Sequence, residues 1–564
     1  MTGKYPIHLG LQHGDILADQ PYGLPLKEKI LPQYLKELGY STHLVGKWNL
    51  GYYKEEYCPT KRGFDSQFGF YNEYVDYLNH EHAKNESKRE SWGIDFFEND
   101  KPINISGYTT HLFDKRIKHL IEKRDKSKPM FMYISHHAAN TRYHTDLHIP
   151  KSYLRRFKHF YHNSTITNIQ KFAALMAILD DSIGKLVKEL QRNNILQNSF
   201  IVFTTDNGAH DQFHNNHPFK GKQNELWEGS IRGTAFIWTT ERKKGYTSNQ
   251  LMHITDWLPT LLQVAKYPNI KFFSLESQLD GFKQWWDLMR GKESDKRLFI
   301  LLNIDPITKL SGYRYKNWKL LLDTNSESTS KRNDRGRQRI FEGFNGTIVR
   351  SSLSTLVEEF NQPTVDCVLE MVTNNYTQFL NSTKPELRDI LKQLRQIFKR
   401  NAPFADMNEL ESDAAKCLHL IGRRFEMRPL LIDCKNIEPN NITCNNGGCL
   451  FDLESDPCER RNVANENKKI MKFMLNKLRF EKISNRYIKP INRNSEPRSW
   501  PIYYSRRWIH WGDDSNYKYN ITTNSKDNLE INISRRNFAM RSKILHPFYR
   551  IVINLLFINY LTLN

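Results

Sequence analysis

Ser199-Phe200-Ile201-Val202-Phe203-Thr204-Thr205-Asp206-Asn207-Gly208 is the stretch on which the fold turns. Its β-branched and aromatic residues predict a strand, and the lack of alternation predicts one buried on both faces, as in a parallel sheet. Just upstream, residues 169–192 set Phe172, Leu175, Met176, Leu179, Ile183, Leu186, Val187 and Leu190 on one helical stripe. Further back, Lys128-Pro129-Met130-Phe131-Met132-Tyr133-Ile134-Ser135 is a second continuous apolar run. Strand, helix, strand at these lengths predicts a βαβ unit, hence an α/β fold with a mainly parallel sheet between helices.

Working outward, Leu26, Ile30, Leu31, Tyr34 and Leu35 recur at helical spacing, Gly39 ends the run, and Ser41 to Val45 is strand-like. Residues 249–263 predict a further helix around Asp256-Trp257-Leu258-Pro259. From about 306 the texture changes. Tyr313 to Asp323 reads as paired strands turning at Lys316-Asn317-Trp318-Lys319, residues 352–400 as charged helix, and a Cys-rich stretch follows. The expected division is therefore 1–305, a small α+β domain at 306–514, and a basic extension at 515–564. The closing run from Ile551 to Leu561 is shorter than the roughly 20 residues of a membrane span. A buried C-terminal helix or an added extension is expected there, not a stable membrane anchor.

Lys and Arg number 83 against 62 Asp and Glu, a formal charge of +21. Such a surface attracts polyanions. No zinc finger or RNP-type motif is present, which argues against nucleic acid. The seven cysteines lack paired Cys-x-x-Cys spacing, which argues against a structural zinc site. Cys449 and Cys458, separated by eight residues in a hairpin-like segment, are expected to pair. Asn-x-Ser/Thr sequons stand at Asn85, Asn104, Asn163, Asn345, Asn375, Asn381, Asn441, Asn520 and Asn532. They suggest a secretory or lysosomal route. Met1-Thr2-Gly3-Lys4-Tyr5-Pro6 shows no apolar signal-peptide core, so a missing N-terminal stretch is expected.

Three strand ends carry chemistry. Asp206-Asn207 places a carboxylate and an amide oxygen side by side, hard ligands suited to Ca²⁺ or Mg²⁺, although the same pair also makes a common turn. Lys47, in Val45-Gly46-Lys47-Trp48-Asn49, offers a point charge for an anionic oxygen, or a plain surface lysine. His136-His137 follows the Met130–Ser135 strand and suits an acid, donor or ligand role, or an ordinary hydrogen bond. In an open sheet these ends share the crevice where ligands bind.

These residues also resemble a known family. Met1-Thr2-Gly3-Lys4-Tyr5, Leu31-Pro32-Gln33-Tyr34-Leu35-Lys36-Glu37-Leu38-Gly39-Tyr40, Val45-Gly46-Lys47-Trp48, Thr205-Asp206-Asn207-Gly208, Trp227-Glu228-Gly229-Ser230-Ile231-Arg232, Asn317-Trp318-Lys319-Leu320 and Asp456-Pro457-Cys458-Glu459 look like an arylsulfatase B-type sulfatase, in order, over roughly 1–514. The resemblance implies the alkaline phosphatase superfamily fold, with a small C-terminal domain built on an antiparallel sheet. It implies sulfate ester hydrolysis by a formylglycine made from the Cys of a Cys-x-Pro-Ser-Arg segment, with one Ca²⁺ held by three Asp and one Asn. The implied substrate is the 4-sulfate of N-acetylgalactosamine in glycosaminoglycans.

Carried over residue by residue, the resemblance makes Asp206 and Asn207 metal ligands and Lys47 catalytic. His137 takes the family's later His only across a three-residue gap; otherwise Asn140 stands there. Asn49 replaces an active-site His, and Gln223 replaces a second Lys, with Lys222 beside it. No Cys-x-Pro-Ser-Arg occurs in these 564 residues. The upstream Asp-Asp pair and first strand of the sheet are expected to be missing with it. Two functions are expected: sulfate ester hydrolysis by the parent enzyme with this chain inactive, or non-catalytic binding of sulfated polysaccharide.

Overall fold

The computed structural model describes residues 1–84, 88–141, 147–157, 168–209, 216, 218–241, 245–291, 296–322, 434, 444, 447–491, 494–513 and 551–556. In chain order the strands are β1 (Ser41–Gly46), β2 (Ser66–Gly69), β3 (Glu81–Ala83), β4 (Trp92–Ile94), β5 (Phe97–Glu98), β6 (Lys101–Pro102), β7 (Met130–Ser135), β8 (Ser199–Thr204), β9 (Ala235–Thr239), β10 (Phe299–Ile304), β11 (Ser311–Tyr315), β12 (Trp318–Leu322), β13 (Cys449–Asp452) and β14 (Ile551–Leu556). The helices are α1 (Leu31–Glu37), α2 (Thr109–Lys123), α3 (Lys151–Arg156), α4 (Asn168–Arg192), α5 (Glu228–Ile231), α6 (Trp257–Val264), α7 (Asn269–Glu276), α8 (Trp285–Arg290) and α9 (Lys468–Ile483).

The main sheet runs β6-β5-β2-β1-β7-β14-β8-β9. From β2 to β8 every neighbouring pair is parallel, and the outer pairs are antiparallel. The two apolar runs become β7 and β8, buried along their whole length. Because side chains alternate across a strand, each run feeds two cores. Met130, Met132, Ile134, Ile201 and Phe203 join α2 and the Leu175–Leu190 stripe of α4 on one face. Phe131, Tyr133, Phe200 and Val202 join Leu31, Tyr34 and Leu35 of α1 and Trp257, Leu258, Leu261 and Leu262 of α6 on the other. This is the expected mainly parallel sheet between helices.

A second sheet, β10-β11-β12-β13, is antiparallel throughout. It packs Leu301, Tyr313, Leu320 and Leu450 against Met474 and Leu478 of α9. Its first strand starts at Phe299, ahead of the textural change near 306. The helical reading of 352–400 lies outside the described residues.

Two expectations need correction. Ile551–Leu556 is neither a buried helix nor an appendage but a strand at the centre of the main sheet. The expected Cys449–Cys458 bridge is replaced by Cys434–Cys458 and Cys444–Cys449, with Cα atoms 5.9 and 4.9 Å apart. Cys449 opens β13 and is held at the rung of Leu321, while Cys458 lies beyond the turn that leaves that strand. An extended strand carries its two ends apart, so each cysteine meets a partner from upstream.

Candidate functional site

Lys47, His137 and Asp206 follow β1, β7 and β8, which run in one direction and therefore end at one edge of the sheet. Close backbone packing fixes the first two. Gly46 has φ +118°, and a Cβ there would sit 1.9 Å from Ser135 O. Only glycine accepts both the dihedral and the approach. The chain then turns so that Lys47 N donates to Ser135 O at 2.9 Å, and Asn49 N donates to Tyr71 O at 2.9 Å. On the far side, a Cβ at Gly208 would sit 1.7 Å from Gly229 O, so the loop after Asp206-Asn207 packs flush on the Glu228–Ile231 helix.

The paired histidines separate. Both are buried, but His136 responds to Asp114 on α2, whereas His137 responds to Lys47. His137 lies in an aromatic box: Tyr77 stacks on it at 4.1 Å, and Phe70 and Tyr74 stand edge-on at 5.0 and 5.2 Å. The Tyr77 hydroxyl donates to the carbonyl oxygens of His137 and Asn140 at 3.1 and 3.0 Å, pinning the segment. Burial, reinforced by the Lys47 ammonium, pushes His137 down to about 3, so its ring is neutral at physiological pH. Neither ring nitrogen has a partner among the described residues.

Asp206 reaches solvent yet is flanked by protein mass. That desolvation raises its carboxyl above the ordinary range, with Lys47 opposing and Asp15 adding to the rise. Asn207 N donates to Asp206 Oδ1 at 2.8 Å, and its side-chain amide donates to Gly208 O at 2.7 Å, so the pair also makes the local turn. Lys47 thus acts electrostatically on both His137 and Asp206 across the edge. Gln223 anchors its loop through a backbone bond to Ala209 O at 3.1 Å.

Other buried polar atoms at this edge also lack partners among the described residues: Asn49 Oδ1, Ser135 Oγ, His136 Nδ1 and Thr205 Oγ1. Buried polar groups are ordinarily satisfied, so such a concentration marks a site built to receive polar matter. Asp206 and Asn207 suit half a Ca²⁺ shell, which takes about six to eight oxygens. Among the described residues no three His, Cys, Asp or Glu converge to hold a metal ion. The pair therefore fits part of a site and not the whole of one.

The aromatic box and Asp15 were not anticipated. Phe70, Tyr74 and Tyr77 were the available signal, and their spacing gives no hint that a histidine sixty residues on fills the space between them.

Residues 1–267 match the family described as Sulfatase. Mouse arylsulfatase J is 37% identical over 346 residues, covering 57% of this chain and 55% of its own length. Human N-acetylgalactosamine-6-sulfatase is 27% identical over 316 residues, covering 53% of this chain and 57% of its own. The chain thus spans about half the length of these curated relatives. Among solved structures, Ps i-CgsB in complex with k-i-k-neocarrahexaose superposes with a TM-score of 0.57 at 18% identity, over 87% of this chain and 81% of its own, a likeness of fold. Through the domain that bears Lys47, His137 and Asp206, the chain is similar to the sulfatase family.

Proposed function

We propose that the protein acts on sulfate esters, and that this chain supplies the face that grips the sulfate group. The observation that carries this is the meeting of Lys47, His137 and Asp206 at one edge of a sulfatase-family sheet. Lys47 supplies positive charge to an anionic oxygen. His137, neutral and boxed in, offers one N–H donor and one acceptor nitrogen without the cost of desolvating a charge. Asp206 and Asn207 are the part of a Ca²⁺ site that this chain provides. That ion, when bound, would polarise the sulfuryl oxygens.

The finer reading is an arylsulfatase B-type enzyme acting on sulfated glycosaminoglycan. Support comes from the resemblance in sequence and from a surface at +21, complementary to a polyanion. Two disulfides and the many sequons favour a secreted or lysosomal protein. Among the described residues no helix is long and apolar enough to cross a membrane.

A specific observation favours a second reading for these 564 residues. Asn49 stands where the resemblance puts a histidine, and an amide cannot shuttle a proton at neutral pH. Gln223 likewise replaces a charge. Both substitutions keep hydrogen-bonding capacity and lose catalytic capacity, as in a protein that binds sulfated polysaccharide without turning it over. Incubating the purified chain with an aryl sulfate and passing it over a heparin-like column tests both points. Hydrolysis at buffer background with retention at low salt, released as salt screens the charge, is expected. Turnover above background would refute the inactive reading, and flow-through at low salt would refute polyanion binding.

A further inference from the structure

We infer that the outer face of α9 is a docking surface for a sulfated polysaccharide, separate from the sheet edge that bears Lys47, His137 and Asp206. Along Lys468–Ile483 the helix carries Lys and Arg at six positions against one acid, Glu481. Met474 and Leu478 are buried and fix its inner face on the second sheet. With about 3.6 residues per turn, the opposite face presents Lys469, Lys472, Asn476, Arg479, Phe480 and Ile483, all exposed. The one acid is on the inner side. Glu481 is half-buried and feels the charges of His8, Asp280 and Arg486.

Two features set this face apart from an ordinary solvated helix. The first is unpaired charge. Exposed lysines elsewhere find acids: Lys36 meets Asp65, Lys118 meets Glu122 and Lys185 meets Asp114. Among the described residues Lys468, Lys469, Lys472 and Arg479 meet none. Lys477 differs again, lying 5.3 and 5.8 Å over the rings of Phe299 and Phe473. Like charges without counter-charge repel one another, and a polyanion laid along them relieves that repulsion. From Lys468 to Arg479 they extend about 16 Å along the helix, a line that suits a charged chain better than a single small anion. The second feature is apolar. Phe480 and Ile483, one turn apart on the same face, are 64% and 79% exposed. A sugar ring presents a face of C–H groups, and laying that face on these side chains removes apolar surface from water.

The choice of a sulfated chain as occupant rests on the reading of the protein as one that acts on sulfate esters; the unpaired charge and the exposed apolar pair do not. Sulfate groups stay ionised across the physiological range, so they remain complementary to lysine point charges and to the planar fork of Arg479. An anionic membrane would offer the same charge. Its anionic lipid is concentrated on the cytoplasmic leaflet, whereas Cys434–Cys458 and Cys444–Cys449 favour an oxidising compartment. The consequence is a division of labour. A polymer gains a contact on α9 that a sulfated monosaccharide does not, while both offer a sulfate group to the sheet edge.

Binding of a heparin-derived oligosaccharide and of N-acetylgalactosamine 4-sulfate to the full chain tests it. Combining Lys469→Glu, Lys472→Glu and Arg479→Glu is expected to weaken the oligosaccharide by about tenfold or more at low salt and to leave the monosaccharide unchanged. Lys115→Glu, Lys123→Glu and Lys126→Glu together alter the net charge equally, at exposed lysines in and after α2, and are expected to cost less than about threefold. Phe480→Ala is expected to cost about threefold, even at salt that screens the cations. Equal losses in the two triple variants would assign binding to net charge and overturn the inference, as would an α9 triple variant that binds like wild type. If the oligosaccharide depends on α9 and the monosaccharide does not bind at all, the inference stands and the sheet-edge reading falls. A wild-type chain that ignores the oligosaccharide overturns it; flotation with phosphatidylserine vesicles, lost in the α9 triple variant, would then give the face to a membrane. Should the charge-reversed triple variant not fold, Lys469→Gln, Lys472→Gln and Arg479→Gln together decide by the same readings.

Discussion

Gly46 shows how one residue can place a functional neighbour. It sits where β1, β2 and β7 converge, with its own carbonyl oxygen 2.1 Å from where a Cβ on Gly69 would lie. Any side chain at 46 must displace Ser135 O, and with it the turn that aims His136 and His137. Gly46→Ala is therefore expected to cost about 3 kcal/mol in urea unfolding. A loss within error of zero would show that the strand ends tolerate adjustment. The importance of Gly46 was partly legible in the chain, because glycine before Lys47 at a strand end reads as a turn. That it faces backbone from a strand 89 positions away was not. Lys319 is the opposite case. In Asn317-Trp318-Lys319 it falls at the predicted turn between paired strands, yet it is fully buried.

At the scale of elements, Lys319 joins the two sheets. From β12 its ammonium lies 2.9 Å from Glu228 Oε1 on α5 and 2.7 Å from Glu459 Oε1 after β13. Glu459 Oε2 accepts from Glu228 N at 2.7 Å. Although burial opposes it, Lys319 and Arg314 hold Glu228 below the usual carboxylate range, while burial pushes Glu459 up to about 7. Removing the lysine would leave two acids buried against each other. Lys319→Ala is expected to destabilise the chain by about 3–5 kcal/mol, and adding Glu459→Gln to recover part of that loss. A double mutant no more stable than the single one would show that the amine, not charge pairing, holds the junction. Elements with clear periodicity were legible in advance: α4, β7 and β8 emerge within a residue or two of their expected bounds. β14 was not, because its sequence states an apolar run and says nothing of an empty slot between two distant strands.

For the whole molecule, burial of titratable groups sets a pH window. His43 and His136 are held down to about 4, and His137 and His253 to about 3, in each case chiefly by burial. An unfolded chain takes up these protons near pH 6.5, so it binds more protons than the folded one below that point, and stability falls with acidification. Asp95 and Glu459, raised to about 6 and 7 by burial, act in the opposite sense between their ordinary values and those limits. With His80 and His111, six histidines are lowered, against four raised acids once Asp206 and Glu481 are added. The melting temperature is expected to drop from pH 7 to pH 5, and His137→Asn to flatten the slope. A melting temperature that rises across this interval would show that the buried acids dominate.

What followed from the chain alone was local or ordered along it. Apolar periodicity set α4, β7 and β8, and the succession of short segments carried the resemblance to sulfatases, because both depend on neighbours in sequence. Convergence depended on packing. Which of His136 and His137 faces Lys47, which cysteines pair, and why a terminal strand lies between β7 and β8 are matters of distance across a folded core. Side chains far apart in sequence become neighbours there only after the sheet has closed, when backbone partners and excluded volume leave each segment few places to go.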